Sequence, residues 1–93
     1  MEQPEKIPDG SGSRDAVTTL DRIQPPGTCH VVSVTASGPV RKRLLALGFV
    51  PGVIVEAVRA APLGDPVEFR VKGYSLSLRK DEARLISVTT GGA

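Results

Sequence analysis

The chain has 93 residues, 40% of them apolar, a single cysteine and a formal net charge of +2. A domain of this size buries only ~60–65% of the surface its unfolded chain exposes, so its core is modest and every strand has to contribute to it. One cysteine excludes an intrachain disulfide, and no apolar run approaches the ~18 residues of a spanning helix, which argues against direct membrane insertion.

The charge is unevenly divided. Residues 1–18 carry Lys6 and Arg14 against Glu2, Glu5, Asp9 and Asp15, while the remainder carries ten bases and six acids. That surplus is mildly basic. Alone it is too small to mark a nucleic-acid binder, and it suits an acidic protein surface equally well.

Residues 1–18 mix Pro, Gly, Ser and charge with almost no bulky apolar side chain. Such a stretch cannot offset its ordering entropy and reads as a disordered tail. It lacks the apolar segment of a secretory signal, which together with the lone thiol fits a reducing cytoplasm. The domain is expected over residues 19–90, with Leu20 and Ile23 as first anchors and residues 91–93 as a frayed end. Pro25-Pro26-Gly27 is a turn. Residues 29–35 (CHVVSVT) form a first strand rich in β-branched side chains. Alternation puts Val32 and Val34 on one face, and Cys29, Val31 and Ser33 on the other.

Residues 41–52 (RKRLLALGFVPG) organise the rest of the chain. Pro39 suits the first position of a helix, where its missing N–H is not needed, and Ser37 or Gly38 before it can serve as N-cap. Leu44, Leu45 and Leu47 supply an apolar stripe at helical spacing. Gly48 is expected to end the helix in a left-handed conformation, with Phe49 and Val50 folding back on the leucines. Pro51-Gly52 then reads as the centre of a type II turn. One feature breaks a local rule: Arg41, Lys42 and Arg43 crowd the first turn, where the macrodipole favours acids by ~0.3–1 kcal/mol per charge. Either they form a solvated face or they mark a functional surface.

Residues 53–60 form a second strand with Val55 and Ala57 inward, although Ile54 and Val58 on the other face leave the register open. Residues 61–66 (APLGDP) are a stiff loop. Val67, Phe69 and Val71 against Glu68 and Arg70 give the clearest period-two alternation in the chain. Lys72-Gly73 turns it back into a strand carrying Leu76 and Leu78. Residues 79–83 (RKDEA) make one helical or 3₁₀ turn, and residues 85–88 the closing strand. Five short strands, with one short α-helix between the first two, predict a mainly β fold. Too few residues remain for a sandwich, so the expected form is a small closed barrel, which also removes bare edges.

The sequence offers little chemistry. Cys29 and His30 are adjacent and point to opposite faces of a strand, whereas zinc sites need three or four convergent ligands. Asp65 and Glu68 offer weak oxygen ligands at most, and the plainer reading is that Asp65 caps its turn and Glu68 is solvated. No phosphate-binding glycine loop and no nucleophile–base couple is present. Phe69 is expected in the core and Phe49 in the helix cap, so Tyr74 alone cannot make an aromatic groove or a base-stacking platform. No catalytic residue, cofactor or metal ligand is therefore assigned, and the chain does not read as an enzyme.

The stretches RKRLLALGFVPG, APLGDPVEF and KGYSLSLRKDEARLISV, in that order, resemble the FeoA family (ferrous iron transport protein A) over roughly residues 20–88. The resemblance implies an SH3-like β-barrel and a cytoplasmic role as accessory partner of FeoB, the membrane ferrous iron transporter with a GTP-binding domain. Similar domains end iron-dependent repressors behind a DNA-binding helix-turn-helix, for which this chain has no room. Transition-metal binding is a label of the family, yet this sequence lacks evident nitrogen and sulfur ligands for it.

On this reading the contact surface comprises Arg41, Lys42, Arg43, Leu47, Gly48 and Phe49 of the helix and its corner, with Leu63 of the following loop. An apolar side chain at a loop tip either packs beneath its own loop or anchors a partner. The alternative function is a small barrel that binds nucleic acid or responds to metal; nucleic acid is not the expected partner, and weak self-association is left open.

Overall fold

The computed structural model describes residues 16–90. The expected tail up to residue 15 and the end from residue 91 lie outside the described residues. Six strands form one antiparallel sheet: β1 (Val17–Thr19), β2 (Gly27–Val34), β3 (Ile54–Ala60), β4 (Val67–Val71), β5 (Tyr74–Leu78) and β6 (Ile86–Thr89). Their order across the sheet is β1-β6-β2-β3-β4-β5. Helix α1 (Gly38–Ala46) joins β2 to β3, the single-turn α2 (Lys80–Ala83) joins β5 to β6, and a 3₁₀ turn (Leu20–Arg22) follows β1.

The sixth strand is β1, which takes Val17 and Thr18 out of the stretch read as tail. Val17 lies opposite Thr89, Thr18 opposite Val88 and Thr19 opposite Ser87. Three residues are too few to show alternation, so the strand exists because β6 offers it an edge. The helix consequently sits between the second and third strands.

Alternation holds where it was cleanest. In β4, Val67, Phe69 and Val71 are buried, and in β3 so are Val55 and Ala57, while Ile54 faces out. Strand β2 departs from the expected faces. Cys29 and Val31 are buried, but so is Val34, and Val32 is exposed. The register of β2 on β6 slips between Val31 and Ser33. A bulge at Val32 adds one residue, inverts the phase, and returns Val34 rather than Ser33 to the core. A second slip lies between Ala57 and Arg59 in β3. Bulges bend and twist a strand, and here they fall on two central strands, where they curl the sheet around its core.

The hydrogen-bonded ladder ends at β1 and β5, so the seam of the barrel is made by side chains. The 3₁₀ turn behind β1 packs against α2 behind β5. Leu20 from the first and Ala83 from the second are both buried in the common core. Leu44 and Phe49 close that core from the side of α1.

Candidate functional site

The end of α1 is built by main-chain hydrogen bonds. The Phe49 N–H donates to the Leu44 carbonyl at 3.2 Å and the Gly48 N–H to the Leu45 carbonyl at 3.0 Å. This pair of bonds is the Schellman arrangement, which requires a left-handed residue just past the helix and brings an apolar pair together. Gly48 has φ +111°, and the apolar pair is Leu44 with Phe49, both fully buried. Gly48 is fixed a second time by packing. A Cβ there would lie 3.0 Å from Val71 Cγ1 and 3.6 Å from Lys72 Cδ. The Val53 N–H then bonds the Val50 carbonyl at 3.1 Å across Pro51-Gly52, with Gly52 at φ +90°, as a type II turn requires.

The same corner receives the tip of the β4–β5 hairpin. Lys72 and Gly73 have φ of +51° and +86°, the two left-handed residues of a type I′ turn. The turn lays the Lys72 stem over Gly48. It also starts β5 with Tyr74, whose hydroxyl donates to the Leu47 carbonyl. That carbonyl is one of those a helix C-terminus leaves without an internal partner. Half-buried Leu47 and exposed Lys72 and Tyr74 thus gather around Gly48. Neither Lys72 nor Tyr74 was assigned to the site from sequence, and no local pattern could have paired Tyr74 with Leu47.

The basic turn divides. Arg41 and Lys42 are exposed, at a helix start whose Ser37 cap makes no side-chain hydrogen bond and whose first turn holds no acid. Arg43 instead pairs with Glu82 of α2. Glu82 also accepts a hydrogen bond from the Arg79 N–H at 3.3 Å, which stabilises the start of α2. Arg43 is therefore a strut between two helices as well as a surface charge.

The remaining expected contact residues do not share one surface. Gly48 and Phe49 are buried; they shape the corner, and the Phe49 ring is turned into the core. Leu63 is 97% exposed, so it does not pack beneath its loop. It stands at the start of β4 whereas Gly48 meets the end of β4, places separated by roughly 13 Å of strand. Asp65 caps a different element from its own turn: its carboxylate accepts the Lys80 N–H of α2 at 3.0 Å. Glu68 is paired with Arg59 at 3.0 Å rather than merely solvated.

Cys29 is buried, with its thiol 3.7 Å from the Val55 carbonyl. Burial pushes that thiol up to about 11, which opposes the thiolate form that binds metal. Among the described residues no three His, Cys, Asp or Glu side chains are grouped to hold a metal ion. No described helix is long and apolar enough to cross a membrane.

Comparison with known proteins decides the family, because residues 18–90 match the model of the FeoA domain. This chain belongs to the FeoA family. All three sequence stretches that suggested it fall within the matched residues. A Fe(2+) transport protein A/Fe(2+) transporter FeoB fusion protein of Porphyromonas gingivalis is 45% identical over 58 residues. The match covers 62% of this chain but only 7% of that much longer FeoA–FeoB protein. The solution structure of FeoA from Chlorobium tepidum superposes with a TM-score of 0.73 at 38% identity, covering 78% of this chain and 70% of that one. The zinc complex of Stenotrophomonas maltophilia FeoA, a prokaryotic SH3 domain protein, gives a TM-score of 0.69 at 32% identity. It covers 76% of this chain and 88% of that FeoA. The curled sheet described above is the SH3-like fold of FeoA proteins.

Proposed function

We propose that this FeoA protein is a cytoplasmic accessory of ferrous iron uptake. It binds the cytoplasmic part of a FeoB-type transporter and modulates transport by contact, without catalysis and without holding the iron itself. The observation that carries this reading is the Porphyromonas gingivalis protein, in which a FeoA-like segment and a FeoB transporter form one chain. Fusion makes an encounter intramolecular, an advantage only where the two parts meet.

The surface best suited to the contact is the Gly48 corner with the adjoining basic turn. Arg41, Lys42 and Lys72 are exposed cations, and Leu47 and Tyr74 offer apolar surface beside them. A small apolar centre with a cationic rim fits an acidic partner surface. Gly48 and Phe49 serve that contact from behind, by fixing the angle at which the helix ends. The nucleic-acid alternative is less well supported, because Arg43 and Arg59 are each neutralised by a neighbouring glutamate.

The test is ferrous iron uptake in cells lacking this protein. Uptake should change on deletion and return with the intact chain, but not with an Arg41→Glu, Lys42→Glu variant that accumulates to the same level. Unchanged uptake on deletion, or full rescue by that variant, contradicts the reading.

A further inference from the structure

The loop between β3 and β4 presents Leu63 on a tied frame. The Gly64 N–H bonds the Ala61 carbonyl at 2.7 Å, and the Ala61 N–H bonds the Pro66 carbonyl at 2.9 Å. Asp65 fastens the same loop to the start of α2. An apolar side chain held at 97% exposure by a rigid loop loses little further freedom when it is covered. Next to it, Gly64 forms part of the wall of a pocket of about 100 Å³. Ile23, Pro25 and Val67 supply apolar lining, and Asp21 and Lys80 supply one charge of each sign.

Leu63 projects one residue from Gly64 in the wall of a pocket of side-chain size, a knob and a hole that two copies can exchange. Under a two-fold axis each copy lends its Leu63 to the pocket of the other, the isologous contact that closes as a dimer. The charges favour the same occupant. A partner surface of a single sign would be opposed by either Asp21 or Lys80. A second copy turned by the two-fold axis can set the acid of each pocket against the base of the other. From this juxtaposition we infer that the chain self-associates as a symmetric dimer, through reciprocal insertion of Leu63 into the pocket walled by Ile23, Gly64 and Val67. The inference does not depend on the transporter reading, since Leu63 and the Gly48 corner hang from opposite ends of β4.

Sedimentation velocity of the full chain over a wide concentration range tests it, alongside Leu63→Ser and Lys80→Glu. Leu63 makes no fold-bearing contact, so Leu63→Ser should melt with the parent and weaken dimerisation on the order of a hundredfold, because each dimer loses two covered leucines. Lys80→Glu should also weaken the dimer, by setting like charges against the partner's acid, and added salt should reduce that penalty. A parent that stays monomeric at its solubility limit overturns the inference. So does a dimer that persists unchanged in Leu63→Ser. If the parent is monomeric and Leu63→Ser loses binding to the transporter's cytoplasmic part, the knob belongs to that partner and the dimer is again excluded.

Discussion

The hydroxyl of Tyr74 donates to the main-chain carbonyl of Leu47, joining the start of strand β5 to the last turn of α1. With Gly48 seated on Val71, this bond sets the helix end against the tip of one hairpin. The angle of the proposed contact surface is thereby fixed by residues that need not touch a partner. Tyr74→Phe keeps the ring and removes the bond. The bond is partly exposed to water, so the loss should be ~0.5–1 kcal/mol, near the lower range for a hydrogen bond. In a domain of this size that lowers Tm by roughly 2–8 °C. A thermal melt that matches the parent would show that water replaces the tyrosine without cost.

Gly48→Val addresses the corner itself. A β-branched residue at φ +111° carries strain of ~1–2 kcal/mol, and its Cβ would also press Val71 at 3.0 Å. The expected loss is therefore about 2 kcal/mol or more, a large share of a small domain's stability. Urea unfolding reads it as a lower midpoint at unchanged slope. A variant as stable as the parent would mean that the helix ends in some other way.

Cys29 gives a pH signature. Its folded-state value is raised by burial from 9.0 to about 11, so the folded chain keeps a proton that the unfolded chain releases first. That stability is fully present below pH 9 and is lost as pH rises through about 11. Cys29→Ala should flatten this alkaline limb of the stability profile, while costing some packing at neutral pH. Alkylation of the native thiol at neutral pH should be slow and should accelerate on unfolding. Rapid modification of the folded protein would contradict the buried, protonated state.

Metal binding by the isolated protein should be weak, despite the zinc complex of the Stenotrophomonas maltophilia relative. The described residues bring no three suitable side chains together, and the one thiol is buried and protonated. A ligand at a hundredfold excess over its Kd stabilises a fold by ~2.7 kcal/mol. Micromolar Fe²⁺, Zn²⁺ or Mn²⁺ should therefore leave Tm unchanged. A saturable rise at constant molecular mass would reveal a site on the single chain.

Much of this architecture was legible because it is local. The alternation of β4, the Pro39 entry and Gly48 exit of α1, and the RKDEA turn each follow from neighbouring residues. What escaped the sequence was long-range. Strand β1 is defined by the edge β6 lends it, and the phase reversal at Val32 by a bulge in the β2–β6 pairing, for which neither sequence carries a mark. In the candidate site the cations and the glycine corner were readable, but their sorting was not. Arg43 became a strut only because α2 brings Glu82 beside it. Phe49 withdrew into the core because the Schellman bonds turn it inward. Lys72 and Tyr74 joined the corner because a hairpin tip arrives there from elsewhere in the chain.

On the proposed function, the basic turn and the Gly48 corner dock on an acidic surface of the transporter. Titration of the parent and of an Arg41→Glu, Lys42→Glu variant against the transporter's purified cytoplasmic part, at low and moderate salt, tests it most directly. Arg43 is left in place, since reversing it would also break its pair with Glu82. Arg41 closes the first turn of α1, where an acid complements the macrodipole, and exposed Lys42 follows it, so the variant should fold about as stably as the parent. The parent should bind, and its binding should weaken as salt rises, because exposed charges are screened within ~8–10 Å. The variant should bind more slowly and more weakly at low salt. Equal affinity of the two proteins at both salt concentrations would contradict it.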